Sequence, residues 1–170
     1  MTVVLRVLSA VALAVSGYVH LHLAHRYGYP GTITGEQLFI AQGVTALVLA
    51  AAILVTGNRW VWAAGALLGL ASFAAVMTYR YVDLGAIGPL PNMYDATWQP
   101  SPEKMLSAIA EITVPLCFVL AMAAGHARRN AARRGGDRDA QNRPDGGASV
   151  GFAAVPPAAG DRVDHGEPTA

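Results

Sequence analysis

The fold of this chain is decided by two apolar runs, LFIAQGVTALVLAAAILV at residues 38–55 and WVWAAGALLGLASFAAVMTY at residues 60–79. As helices they would be roughly 27–30 Å long, which matches a hydrocarbon core of about 30 Å. Neither run shows the period-two alternation of a transmembrane barrel strand. Only TGNR separates them, and Gly57 and Asn58 tolerate the left-handed conformation that ends a helix. The pair therefore predicts an antiparallel transmembrane helical hairpin.

Two further apolar runs lie at about residues 3–23 and 105–124. The first begins like a signal peptide, but its apolar character continues to Leu23, which is long for a cleaved segment, so we expect it to be retained as a span. Four runs of this length predict an all-α, polytopic membrane protein built as a four-transmembrane-helix bundle.

Charge is scarce and unevenly distributed. Only 14% of the 170 residues are charged, against about 25% in a soluble domain. Residues 1–126 carry five basic and five acidic residues, whereas residues 127–170 carry seven and six and are rich in Gly and Pro. We therefore predict a transmembrane domain over 1–126 and a disordered cytoplasmic tail over 127–170. The single cysteine excludes a disulfide scaffold, and the absence of a basic stripe argues against nucleic acid as a partner.

Orientation follows from the basic residues near the span ends. A cytoplasmic N-terminus leaves six of them inside against three outside, which predicts a multi-pass protein of the plasma membrane with both termini in the cytoplasm. Trp60 and Trp62 are expected at the inner interface. The second outer loop, residues 80–104, contains four prolines and is expected to form an ordered cap over the outer mouth of the bundle.

Four polar residues fall at a similar depth in the outer third of the four spans. They are His20, Gln42, Ser72 and Glu111. Ionisable groups cost about 2.5–3.5 kcal/mol each inside a span, so they mark candidate sites. Pro115 cannot donate a hydrogen bond to the carbonyl of Glu111 and is expected to kink the fourth span there. Two interpretations stay open: a His–Glu contact that holds the helices in register, or a site for a proton, metal or small ligand such as a quinone.

Small residues and histidines give weaker signals. Gly65 and Gly69 form a GxxxG stripe that lets another helix approach closely, either within the chain or from a second protomer. His22 and His25 share one helical face and could hold a metal together with a loop carboxylate. The sequence shows no catalytic arrangement of residues, and we expect the protein not to be an enzyme.

Several short motifs carry a resemblance. They are SGYVHLHL at residues 16–23, Tyr29-Pro30, GPLP at residues 88–91, Trp98, and Ala110-Glu111. With the excess of Arg over Lys and the abundant Ala and Gly, residues 3–125 resemble an uncharacterised family of small four-span integral membrane proteins of actinobacteria. The layout is more distantly similar to DoxX-like proteins, whose bundles are tied to quinone-linked oxidoreductase assemblies. The chain departs from those in lacking a redox cysteine pair.

Three functions agree with these observations. The first is a non-enzymatic accessory or assembly subunit of a membrane complex, which uses the polar layer and cap as a contact or small-ligand surface. The second is a quinone-binding or redox-associated subunit that uses Glu111 and His20. The third is a small transporter or channel formed by a homo-oligomer through Gly65 and Gly69. A quinone is the one cofactor that these alternatives include, and the lipid bilayer is the partner common to all three.

Overall fold

The computed structural model describes residues 2–99 and 102–141, and this part of the chain is helical, without a strand. Four helices are long and apolar enough to cross a membrane. The predicted all-α fold with four transmembrane helices is thereby confirmed. The helices are α1 (Thr2–Leu23, extended by a 3₁₀ turn over Ala24–Arg26), α2 (Gly35–Thr56), α3 (Arg59–Tyr81) and α4 (Glu103–Gln141).

The connection between α2 and α3 is the tight turn that its sequence predicts. Gly57 ends α2 in the left-handed conformation, with φ 59°, and donates its backbone N–H to Ile53 O. The side chain of Asn58 then accepts a hydrogen bond from the Trp60 N–H at 2.8 Å and begins α3. The turn thus uses a left-handed glycine to end one helix and an asparagine N-cap to begin the next.

Helix α4 continues beyond the predicted end of the fourth span, at about residue 124, to Gln141. Residues 127–134 read ARRNAARR, and Ala and Arg are among the strongest helix formers. The start of the predicted disordered tail is therefore helical, while residues 142–170 of that tail lie outside the described residues. The chain divides into two units, Met1–Ala131 and Ala132–Ala170.

Glycines allow the helices to approach closely. A Cβ added to Gly43 of α2 would lie 2.8 Å from the Gly17 carbonyl oxygen of α1, so the two backbones touch there. A Cβ on Gly65 would lie 3.0 Å from both Leu13 Cδ1 and Ile53 Cδ1, and one on Gly69 would lie 2.6 Å from the carbonyl oxygen of Glu111. Of the two alternatives for the GxxxG stripe, the structure shows packing within the chain.

The two tryptophans at the start of α3 have different environments. Trp60 is 71% exposed, as an interfacial residue should be, but Trp62 is only 3% exposed. Trp62 donates its indole N–H to Ser9 Oγ at 2.9 Å and packs edge-to-face on Phe118. Trp62 therefore faces the interior of the bundle while Trp60 faces outward, because residues two apart on a helix point to nearly opposite sides. The depth of both rings at the inner interface stays a prediction.

The end of the bundle at which α1 and α3 finish and α2 and α4 begin is covered by two loops, and we call it the capped end. The first loop donates the Ile33 N–H to Pro89 O of the second at 3.1 Å. The second is tied to α3 by the Asp95 N–H, which donates to Tyr79 O at 3.1 Å. Pro91 is buried beneath them. These contacts agree with the expected ordered cap.

Candidate functional site

Four polar side chains meet in the interior of the bundle, between α1 and α4. They form what we call the polar cluster: Ser16, His20, Ser107 and Glu111, each at most 8% exposed. Ser16 lies one turn before His20, and Ser107 lies one turn before Glu111, so each helix presents its pair on one face. The cluster therefore depends on how α1 and α4 face each other.

The carboxyl group of Glu111 is the centre of this cluster. Its Oε1 accepts hydrogen bonds from Ser16 Oγ at 3.1 Å and from Ser107 Oγ at 3.0 Å. Its Oε2 is buried and has no hydrogen-bond partner among the described residues. A buried polar atom without a partner is costly, and in a native protein it calls for a reason such as a proton, an ion, a water molecule or a ligand.

The hydrogen bonds of His20 define its tautomer. Its Nδ1 lies 2.9 Å from the Ser16 carbonyl oxygen, and because a carbonyl can only accept, Nδ1 must carry the proton. In the neutral ring Nε2 is then an acceptor, and it lies 3.7 Å from Glu111 Oε1. The expected meeting of His20 and Glu111 is thus present as a close approach, slightly longer than a hydrogen bond.

Hydrogen bonding also distinguishes the cluster from a catalytic triad. Ser107 Oγ is 3.5 Å from His20 Nδ1, which at first sight suggests a serine, a histidine and an acid acting together. However, Nδ1 already holds a proton for Ser16 O, and Ser107 donates its own proton to Glu111. A nucleophilic serine needs a free basic nitrogen to accept its proton. The geometry is therefore suited to hydrogen bonding and not to nucleophilic attack.

Pro115 and Gly69 act together beside Glu111. Proline leaves the Glu111 carbonyl without its usual helical partner. The backbone of Gly69 in α3 approaches this same oxygen so closely that a Cβ there would lie 2.6 Å from it. The contact fixes the depth of Glu111 relative to α3.

A cavity of about 370 Å³ lies between the polar cluster and the cap. His20 and Ser107 line it from the cluster, and Gln42 and Ser72 line it from α2 and α3. Glu111 is behind this wall and does not line the cavity. Three of the four predicted site residues therefore share the cavity, and the fourth supports it from behind. Most of the remaining lining is apolar or aromatic: Val19, Leu23, Tyr27, Tyr29, Leu38, Phe39, Ala75, Val76, Tyr79, Leu90 and Met93.

Charged residues line the cavity where it meets the cap. Lys104 Nζ lies 2.7 Å from Asp95 Oδ2 and also donates to Thr97 O at 2.8 Å. Burial tends to raise the pKa of Asp95, but hydrogen bonds from Lys104 and Thr97 outweigh it and lower that pKa below 3.8. Burial and the nearby Asp95 charge raise the pKa of Tyr27 to about 12. Tyr27 donates its hydroxyl to Gln99 O at 3.1 Å, so the first loop is also joined to the second through this side chain.

The structure does not bring His22 and His25 together as ligands. His22 stacks on Tyr18 of its own helix, with ring centroids 5.8 Å apart. His25 Nδ1 lies 2.6 Å from Glu36 Oε1 at the exposed start of α2. Within the described ranges no group of three or more His, Cys, Asp or Glu side chains could hold a metal ion.

Sequence reasoning did not identify Ser16 and Ser107. Serine is common in transmembrane helices, and neither residue carries a charge that would draw attention. The signal that was available is their spacing, since each lies four residues before an ionisable residue and so on the same helical face. Comparison with protein-family models, with curated proteins and with solved structures finds no match for the chain.

Proposed function

We propose that this integral membrane protein is a non-enzymatic subunit of a membrane complex that binds a small amphipathic molecule in the cavity at its capped end. The observation that carries the proposal is the cavity itself, about 370 Å³, apolar over most of its wall and with a few polar atoms at its inner end. Sites for small molecules have this character and begin at about 300 Å³.

The wall of the cavity indicates how such a molecule would lie. Its apolar part would pack on Leu23, Phe39 and Val76, while a polar group would reach Gln42 and Ser72. Neither of these two side chains makes a hydrogen bond to another described residue. Their hydrogen-bonding capacity is therefore available to a ligand.

A quinone is the second candidate, and the polar cluster favours it. His20 lines the cavity, and its Nε2 lies 3.7 Å from the carboxyl group of Glu111. The imidazole would therefore stand between a carbonyl or hydroxyl of the quinone ring and that buried carboxyl group. Such an arrangement could hold a proton next to a redox ring. This role would make the protein a redox-associated subunit, and it agrees with the distant DoxX-like resemblance.

We further propose that both termini are cytoplasmic, in the plasma membrane of an actinobacterium. The excess of Arg beside the two ends of the chain and beside the α2–α3 turn supports this orientation. The capped end would then face outward. The oligomeric channel has less support, because Gly65 and Gly69 pack against α1, α2 and α4 of the same chain.

The test is to fill the cavity with a larger side chain and to measure which bound molecule the protein then loses. Protein would be purified gently from its native membrane, and bound lipids and quinones would be extracted and quantified by mass spectrometry. Ala75 lines the cavity, so Ala75→Phe adds a ring to its wall, whereas Ala74→Phe changes the neighbouring alanine, which does not line it. The two variants match in residue type, helix and depth.

We expect one small molecule near stoichiometric amount with the unaltered protein and with Ala74→Phe, and a loss of at least tenfold with Ala75→Phe. A quinone as that molecule would support the second candidate. An extract identical for both variants would contradict a ligand in this cavity. Crosslinking in the native membrane would test the subunit role, which loses its basis if the protein is found alone.

A further inference from the structure

The cavity carries one positive charge that no described residue neutralises. Four of its lining residues carry a formal charge or have a basic ring: His20, Arg80, Asp95 and Lys104. Lys104 is paired with Asp95 at 2.7 Å, so these two cancel. His20 lies at the inner end, where its ring is held by Ser16 O. The charge that remains belongs to Arg80.

Arg80 is held in place without using its hydrogen-bond donors. Its guanidinium lies over the rings of Tyr81 and Trp98, with distances of 5.2 and 5.6 Å to the centroids. Its Nε is buried and has no partner, and the side chain makes no hydrogen bond or ion pair with any described residue. Stacking on aromatic rings leaves the in-plane N–H donors of a guanidinium free for an acceptor.

Two other polar side chains at this end of the cavity already have hydrogen-bond partners. Lys104 donates to Asp95 and to Thr97 O, and the Tyr27 hydroxyl donates to Gln99 O. A buried donor that lacks an acceptor costs free energy, and a planar guanidinium fits the paired oxygens of a carboxylate or phosphate. An anionic group in the cavity would neutralise the charge of Arg80 and accept hydrogen bonds from its N–H donors.

We therefore infer that the ligand of this cavity is an anionic amphiphile, whose carboxylate or phosphate is bound by Arg80 near the cap while its apolar part lies among Leu23, Leu38 and Val76. The inference rests on the proposed function, since it specifies the ligand class of the same cavity. It points away from a neutral quinone, which brings no charge to Arg80.

The experiment compares four probes on the purified protein in a neutral detergent, with the three amphiphiles at equal mole fraction in the micelle and inorganic phosphate dissolved in the buffer. They are decanoate, decyl phosphate, decanol and inorganic phosphate. Affinity is measured by isothermal titration and by the rise in melting temperature. We expect decanoate and decyl phosphate to bind about tenfold or more tightly than decanol. Inorganic phosphate alone should bind much more weakly, because it lacks the apolar part.

Four variants test whether Arg80 is the source of the preference for anionic probes. Arg80→Gln should remove the advantage of the anionic probes, and Arg80→Lys should retain part of it. Arg26→Gln is the control, because Arg26 is an exposed cation at the same end that does not line the cavity. Ala75→Phe should abolish binding of every probe, which separates a ligand in the cavity from lipid phosphate on the surface.

Two results would overturn the inference. One is decanol binding as tightly as decanoate. The other is an anion preference that persists in Arg80→Gln or in Ala75→Phe. If no amphiphile binds the unaltered protein, the proposed function fails together with the inference. If only neutral probes bind and Ala75→Phe blocks them, the cavity function stands and the anionic ligand alone is refuted.

Discussion

At the scale of single residues, the cluster around Glu111 shows how a carboxyl group is accommodated inside an apolar bundle. Ionisable groups at such depth cost about 2.5–3.5 kcal/mol on insertion scales. Two serine hydroxyls compensate part of this cost by donating to the same oxygen, Oε1, at 3.1 and 3.0 Å. The second oxygen has no such support among the described residues. Glu111 is thus stabilised by hydrogen bonds to Oε1, while its Oε2 lacks a hydrogen-bond partner among the described residues.

We predict that Ser16→Ala and Ser107→Ala each lower the free energy of unfolding by about 1–3 kcal/mol, because each removes a donor from a buried carboxyl group. The double variant should depart from additivity, since both donors serve one acceptor atom. The measurement is the free energy of unfolding in mixed micelles, with circular dichroism used to monitor the loss of helix.

Thr113→Ala is the control for these serine variants. Its side chain is half-buried, and its hydroxyl donates to Ile109 O of its own helix, away from Glu111. Its removal should change the unfolding free energy by less than about 0.5 kcal/mol. Equal effects of all three alanine substitutions would mean that the buried serines do not support Glu111.

At the scale of helices, the spans could be predicted from the sequence while their contacts could not. Long apolar runs determine where α1 to α4 lie, because backbone polar groups in lipid must be satisfied within a helix. Ionisable residues in such a run are rare, so His20 and Glu111 can be recognised from the sequence as candidate site residues. The contact of Gly17 with Gly43 depends on the crossing of two helices, and the cavity depends on all four, so neither follows from spacing within one helix. Helix α4 is longer than the predicted span, because polar residues mark the membrane boundary and not the end of a helix.

Gly43→Ala tests the close crossing of α1 and α2. The added methyl group would lie 2.7 Å from Leu21 Cγ and 2.8 Å from Gly17 O, so the helices would have to separate. Overpacking of this kind costs about 1–3 kcal/mol. We expect a lower unfolding free energy, with weaker binding of any cavity ligand, because Gln42 is the neighbouring residue.

Gly125→Ala is the matched helical control. An added Cβ at this position of α4 meets nothing within 4 Å. Alanine has the higher intrinsic helix propensity, so this variant should be neutral or slightly stabilising. A loss of stability at Gly125 equal to that at Gly43 would indicate a general cost of removing glycine, and the close crossing would then not be its cause.

At the scale of the whole bundle, the two ends differ. The end with the α2–α3 turn is closed by a short connection, whereas the capped end carries two loops that bond to each other and to α3. Lys104, near the start of α4, donates both to Asp95 and to Thr97 O of the second loop. The same pair lines the cavity. Closure of the cap and shape of the ligand site therefore depend on the same ion pair.

This dependence predicts an acid-sensitive cap. The pKa of Asp95 is below 3.8 because the hydrogen bonds from Lys104 and Thr97 favour its charged form over the opposing effect of burial. A lowered pKa contributes stability that is complete above the ordinary value and is lost as the pH falls through the folded-state value. We expect the amide-exchange protection factors of residues 82–99, corrected for the pH dependence of the intrinsic exchange rate, to fall roughly fivefold, for a loss of about 1 kcal/mol, as the pH falls below about 4.

Two variants make this prediction specific to Asp95. Asp95→Asn should already show faster exchange of the loop at neutral pH, with little further change on acidification, because the carboxylate that Lys104 binds is gone. Asp83→Asn is the control within the same loop: Asp83 accepts from Asn92 and from the Gly85 N–H and has no contact with Lys104. It should keep the acid transition of the unaltered protein. An unchanged transition in Asp95→Asn would place the acid sensitivity in another carboxyl group, and the Asp95–Lys104 pair would then not hold the cap closed.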